Sequence, residues 1–322
     1  MTLPNFLVIG AAKSGTTSLY QYLNKHPEIY MSPNKEPKFF ALEGVDLDSF
    51  RGPGDASWLK NTTITQLNEY EALFDGVEHE KAIGEASTIY LYSKTCPNTI
   101  QKYIPNAKLI IILRQPIEQA FSMFLHHLRS GFYQEYLAKN DPSYLEDHFA
   151  EEFLASEQLD ETWLYHWHYK EMSAYYEQVK RYFDIFDSQN IKIFLFDEFK
   201  QNTKQCLREI FDFLDVDIDV TPSNLNQKYN AHKILNQKPQ NAALHYFLMN
   251  PSPLKKIIKP LLSQKLRGKI NYWFRKRNMT TTDSPFDVKL SKETRQRLTE
   301  FQREDILKLQ DLIGRDLSHW FD

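Results

Sequence analysis

Short, unbroken apolar runs recur along this chain, separated by stretches whose apolar residues fall at helical spacing. "NFLVIG" (5–10), "KLIIILR" (108–114) and "IKIFLF" (191–196) are runs of the kind buried on both faces of a parallel sheet, and "KAIGE" (81–85) is a weaker fourth. After the first run, Leu19, Tyr20 and Leu23 form a helical stripe that stops at His26-Pro27. Pro116 opens a second helix, with Ile117, Phe121, Phe124 and Leu128 along one face before Gly131. Further on, 142–187 reads as aromatic-rich and helical, 203–214 as another helix, and 291–313 as one amphipathic helix closed by Gly314. Strand, loop and helix in alternation predict an α/β fold of three layers, a central parallel sheet flanked by helices. With no internal repeat, the 322 residues are read as a single domain, 1–322.

The first strand runs into "GAAKSGTTS", which has the glycine spacing of a phosphate-binding P-loop but not its lysine position. A Walker loop places lysine directly after the second glycine, whereas here Lys13 lies between Gly10 and Gly15. The physical content survives the displacement. Glycine lets the backbone turn its N–H groups inward, and Thr16, Thr17 and Ser18 bring hydroxyls to a helix N-terminus whose dipole favours an anion. A kinase or NTPase would also need a carboxylate for Mg²⁺ at the end of a neighbouring strand. That strand ends in Arg114, which points to direct binding of phosphate without metal; Ser122 lies about two helical turns further on.

Composition narrows the setting. The chain enters its first strand after four residues and contains no apolar run near the roughly 20 residues a membrane span needs, so the expectation is a cytoplasmic protein without a transmembrane segment. Cys96 and Cys206 lack the spacing of a disulfide framework or zinc site, which agrees with that compartment. The net charge of −3 conceals an uneven distribution: between Asp219 and Asp283 there are twelve Lys or Arg and no acidic residue. This basic segment, about 228–277, is suited either to an anionic ligand or lipid surface or to an ordinary solvated face. Nothing in it suggests nucleic acid.

"IGAAKSGTTSLYQYLNKHP", "KEPKFF", "GEASTIYL", "LIIILRQPIEQAFSMF" and "LIGRDLSHW" together resemble the sulfotransferase family that uses 3′-phosphoadenosine 5′-phosphosulfate, especially its bacterial members and the heparan sulfate glucosaminyl branch. The resemblance implies that Lys13, Ser14, Gly15, Thr16, Thr17 and Ser18 bind the donor's 5′-phosphosulfate, and that Arg114 and Ser122 bind its 3′-phosphate. It also implies a catalytic base at Glu36, and a donor-binding loop at "KYNAHKILNQK", where Tyr229, Lys233 and Lys238 are the candidates. A sulfuryl group in transfer carries less negative charge than a phosphoryl group, so lysine on the bridging oxygen can serve without metal. The implied acceptor is a hydroxyl or amine of a carbohydrate or other small molecule. A P-loop kinase and a non-catalytic nucleotide-binding or anionic-surface-binding module are the alternative readings.

Two departures from the family pattern carry their own expectations. Lys38 stands where relatives often have histidine and is expected to bias the acceptor toward anions; Gln115 stands at a cap usually held by Asp or Asn and is expected to weaken it. Should Glu36 not be the base, Glu85 and His126 are next in line. His126 and His127 diverge by about 100° on a helix, and His166 and His168 diverge likewise, so no metal site is expected from either pair. The aromatic stretch 163–186 is expected to be core.

Overall fold

Strand β1 (Phe6–Gly10) is buried along its whole length, and its alternate residues divide the interior in two. Leu7 and Ile9 join one apolar cluster, Phe6 and Val8 the other. The computed structural model describes residues 2–52, 57–130, 142–225, 234–241, 277–286 and 289–322, with 243–244, 247, 270 and 273–274.

Around β1 lie β2 (Ile29–Met31), β3 (Ala82–Ala86), β4 (Lys108–Leu113) and β5 (Ile191–Leu195), in the order β2-β3-β1-β4-β5, every pair parallel. In β4, Leu109, Ile111 and Leu113 point to one cluster, and Ile110 and Ile112 to the other, as a strand covered on both faces requires. One layer of helices holds α1 (Thr16–Leu23) and 203–213, which bury Leu19, Leu23, Leu207, Ile210 and Phe211. The opposite layer is built from α2 (Phe39–Leu42), α3 (Pro116–Arg129) and the aromatic segment that follows. The expected three-layer α/β fold is the one observed, and Ile117, Phe121, Phe124 and Leu128 are all core. A second pairing, β6 (Ile234–Pro239) antiparallel to β7 (Met279–Phe286), forms a two-stranded ribbon, with β6 against α3.

Two local expectations change. The expected helix 291–313 is two helices, α4 (Lys292–Glu300) and α5 (Arg303–Ile313). The break falls at Gln302, whose buried amide donates to Lys170 O at 2.8 Å and Ser173 Oγ at 3.0 Å and so anchors the turn on the aromatic segment. Gly314 does close α5 in the left-handed conformation, with φ 61°. Gln115 caps α3 rather than weakening it: its Oε1 accepts from Glu118 N–H at 2.7 Å, and its Nε2 donates to Thr299 Oγ1 and Trp320 O. The stretch 142–187 is helical in several short pieces, with Tyr165, Trp167, Tyr169, Tyr175, Tyr182 and Phe186 in the core as expected.

Candidate active site

The site lies at the C-terminal edge of the sheet, where the connections after β1, β2, β3 and β4 meet, the usual position for a ligand crevice in a parallel α/β sheet. After β1 the chain is pinned to its neighbour by Ala11 N–H donating to Ile112 O at 2.8 Å. Lys13 and Gly15 then both take left-handed conformations, φ 65° and 87°, which reverse the chain into α1. A Cβ on Gly15 would lie 3.1 Å from Phe196 Cε2, so this turn suits glycine on both counts. No side chain caps α1, and its first intrahelical bond is Leu19 N–H to Gly15 O. The N–H groups of Thr16, Thr17 and Ser18 precede that bond and remain at a positive helix end.

Lys13 is the electrostatic centre of the site. Burial first, then the charges of Arg129, Arg114 and Lys35, bring its ammonium down to about 7, and no carboxylate among the described residues is paired with it. Arg114 reaches the same loop, with Nη1 donating to Lys13 O at 3.3 Å and Nη2 to Glu118 at 3.1 Å, over the ring of Phe196. The structure thus brings Arg114 to Lys13. Helix α3 is tied to the loop by Gln119, whose Nε2 donates to Ala12 O at 3.1 Å. Along the same helix, Gln119 Oε1 and Ser122 Oγ are buried and accept or donate no hydrogen bond among the described residues. Buried polar atoms seldom go unpaired, so both mark places for a ligand atom or water. Ser14 is fully buried, with its hydroxyl beside that of Tyr175.

Glu36 sits in the connection after β2. Its N–H donates to Ala86 O at 2.9 Å, which fixes this loop to the end of β3. The carboxylate accepts from Thr88 N–H (3.1 Å), Thr88 Oγ1 (3.0 Å) and Lys35 Nζ (3.0 Å). Burial works against its charge, but the cations of Lys35 and Lys38 and these hydrogen bonds prevail and hold the carboxyl below its ordinary value. It is an ionised acceptor at neutral pH, a quarter exposed and held from two sides. Glu36 and Lys38 also have positive φ, 66° and 63°. With Lys13, the two loops therefore carry three strained non-glycine residues at about 1–3 kcal/mol each, the kind of backbone found where geometry serves function.

The expectation for Lys38 is corrected. Its side chain is 1 % exposed, with Nζ donating to Glu36 O at 2.6 Å and Thr62 Oγ1 at 3.2 Å, so it braces the Glu36 loop instead of meeting an acceptor. Burial brings it down to about 8. Glu85 is set aside as a substitute base: it is wholly buried, raised to about 7 by burial, and hydrogen-bonded by Tyr90 and Tyr70 in the core. His126 is exposed. Its neighbour His127 lies in the core against Trp167, with ring centroids 4.1 Å apart and nearly parallel. Tyr229 and Lys233 lie outside the described residues; Lys238 falls in β6, opposite Thr280 of β7.

Sequence reasoning passed over Lys35, Thr88 and Arg129. The first two were within reach, since they stand in the quoted "NKEPKFF" and "GEASTIYL"; Arg129 follows Ser122 by seven residues, two turns on the same face of α3. Among the described residues, the carboxylates paired with Lys13, Lys35, Arg114 or Arg129 are Glu36, with Lys35, and Glu118, with Arg114. Such a crevice is built for a polyanion.

Comparison with known proteins agrees with this chemistry. The family model described as "Sulfotransferase domain" matches residues 3–284. The membrane-associated sulfotransferase kil1 of Dictyostelium discoideum is 34 % identical over 160 residues, 50 % of this chain and 29 % of that protein. The bifunctional heparan sulfate N-deacetylase/N-sulfotransferase 4 of Mus musculus is 33 % identical over 144 residues, 41 % of this chain and 15 % of that one. The chain thus spans less than a third of the length of either curated relative. The crystal structure of a sulfotransferase from Alicyclobacillus acidocaldarius superposes with a TM-score of 0.70 at 29 % identity, covering 100 % of both chains. Among the described residues no helix is long and apolar enough to cross a membrane.

Proposed function

The chain belongs to the sulfotransferase family, and on that premise we propose that it moves a sulfuryl group from 3′-phosphoadenosine 5′-phosphosulfate to a hydroxyl or amine of a carbohydrate or other small acceptor. The observation that carries this reading is Lys13: a half-buried lysine near three other cations, with no carboxylate paired to it among the described residues, in the turn that leads into the uncapped start of α1. A protein keeps such a charge where a ligand's anion completes it.

The residues fit the donor. Ser14, Gly15, Thr16, Thr17 and Ser18 present N–H groups and hydroxyls for the 5′-phosphosulfate, with Lys13 over the bridging oxygen; Arg114 and the unpartnered Ser122 take the 3′-phosphate. Tyr229, Lys233 and Lys238 are the further candidates for the nucleotide site; of these, Lys238 falls in β6, the strand that meets α3. The donor supplies the sulfuryl group and departs as adenosine 3′,5′-bisphosphate. Glu36 accepts the proton that the acceptor's hydroxyl or amine releases as its oxygen or nitrogen bonds to sulfur, and Lys13 binds the charge left on the phosphate oxygen when the old S–O bond breaks. Thr88 and Lys35 keep Glu36 ionised and in place. A kinase would want a carboxylate for Mg²⁺ where Arg114 stands bonded to the loop, so the kinase reading is set aside. Its two cysteines are free and buried, which supports the cytoplasm as its setting.

The test is incubation with donor labelled in its sulfuryl group and a panel of carbohydrate, alcohol and amine acceptors. Label in an acceptor, with stoichiometric release of the bisphosphate, supports the reading. Hydrolysis-level release with every acceptor, together with transfer from ATP, contradicts it.

A further inference from the structure

On this reading of the site, which it extends, we propose that Arg129 selects acceptors carrying an anionic group beside the hydroxyl or amine that receives the sulfuryl group. Gln119, Ser122, His126 and Arg129 are spaced three, four and three residues apart, which places them within an arc of about 80° on one side of helix α3. Gln119 Nε2 bonds to Ala12 O, so the first part of this stripe faces the phosphate-binding loop, while His126 is exposed.

Arg129 stands at the last position of α3, ten residues or about 15 Å beyond Gln119 along the axis. Its side chain is folded back along the helix: Nε donates to Leu125 O, one turn earlier, at 3.2 Å. The free end of the guanidinium does not turn to solvent. Nη2 is buried and has no hydrogen-bond partner among the described residues, and the group as a whole meets no carboxylate, whereas Arg114 meets Glu118 and Lys35 meets Glu36. A buried, unpaired guanidinium donor is costly and needs an anion to satisfy it.

Each charge of the donor already has its own partner, the 3′-phosphate on Arg114 and Ser122 and the 5′-phosphosulfate on the loop and Lys13. Arg129 is left over. It is near enough to Lys13 to be the leading charge acting on that ammonium, yet two turns past Ser122, away from the nucleotide's 3′ end. The ligand that reaches this position is the acceptor, and the complement of a planar five-donor cation is a carboxylate or sulfate held bidentately.

The test uses enzyme saturated with adenosine 3′,5′-bisphosphate, so that the nucleotide's anion sites are filled, and two matched pairs of probes: 4-nitrophenyl glucuronide against 4-nitrophenyl glucoside, and glucosamine 6-sulfate against glucosamine. Calorimetry should show the anionic member of at least one pair binding about ten- to a hundredfold more tightly, the range of one charge-assisted contact. Arg129→Gln should erase the preference while the bisphosphate still binds; Arg129→Lys, which keeps charge but not the fork, should restore part of it. Equal binding within both pairs, no binding of either anion, or a preference that persists in Arg129→Gln overturns the proposal. Loss of bisphosphate affinity in Arg129→Gln also overturns it, because it moves Arg129 to the donor. Wild-type protein that does not bind the bisphosphate overturns the donor assignment itself, and this proposal with it.

Discussion

Thr88 donates to both carboxylate oxygens of Glu36, its N–H to Oε2 at 3.1 Å and its hydroxyl to Oε1 at 3.0 Å. The two residues are 52 positions apart and meet because β2 and β3 run parallel and side by side, so that the loop after one lies over the turn after the other. The cations of Lys35 and Lys38 hold the carboxyl of the proposed base below its ordinary value, and the Thr88 bonds add to their effect. Because Glu36 is held below its ordinary value, it is deprotonated and able to accept a proton throughout the neutral range.

Thr88→Val removes the hydroxyl donor and leaves the N–H. Glu36 should then titrate at a higher pH, and the acidic limb of the kcat/KM profile should move upward while the neutral plateau falls only modestly. The same linkage acts on stability. A carboxyl with a depressed folded pKa contributes stability above its unfolded pKa and loses it as pH falls through the folded value, so the variant's deficit should shrink toward acid pH. Rate profiles and melting curves from pH 4 to 8 check both; an unmoved acidic limb would separate Thr88 from the base.

Lys13 near 7 is a group that titrates where the protein works. Only its protonated form attracts the donor's charge, and a bound anion raises its proton affinity, so above about pH 7 nucleotide binding should take up a proton. Calorimetry of adenosine 3′,5′-bisphosphate at pH 8, in buffers of different ionisation enthalpy, should report net uptake. Lys13→Met should abolish that uptake and weaken binding, yet raise the melting temperature of the empty protein by relieving a half-buried, unpaired charge. Proton-neutral binding in the wild type would show that Lys13 does not face the nucleotide.

Arg114 and Ser122 are assigned to a phosphate that AMP and ATP lack. The bisphosphate should bind about ten- to a hundredfold more tightly than AMP, and Ser122→Ala should remove part of that margin. Parallel titrations decide it. Equal affinity for the two nucleotides would withdraw both residues from the donor site.

The legible parts of this protein are those governed by local rules. β1 and β4 announce themselves as runs buried on both faces, and the phosphate loop by glycine spacing and hydroxyls at a helix start. β2 does not, since Ile29–Met31 is too short to show a period directly after His26-Pro27. The division of α4 from α5 depends on Gln302 finding Lys170 and Ser173 more than a hundred residues away. Lys38 was misread for the same reason: a lysine two residues from the proposed base looks free to meet an anionic acceptor until Thr62 and the Glu36 carbonyl are seen around it. Glu36 was proposed through family resemblance, whereas the bond of Thr88 to it depends on a tertiary contact.

The central claim is that Glu36 takes the acceptor's proton while Lys13 manages the leaving phosphate, and one comparison tests it most directly. Wild-type and Glu36→Gln proteins are given sulfuryl-labelled donor and an acceptor in the presence of EDTA. The account predicts that the wild type transfers label without added metal and that Glu36→Gln, which keeps size and hydrogen bonding, is slower by about 10²–10⁴-fold. Bisphosphate affinity should be unchanged in the variant. Near-normal turnover by Glu36→Gln, or wild-type activity that vanishes in EDTA and returns with Mg²⁺, would contradict it.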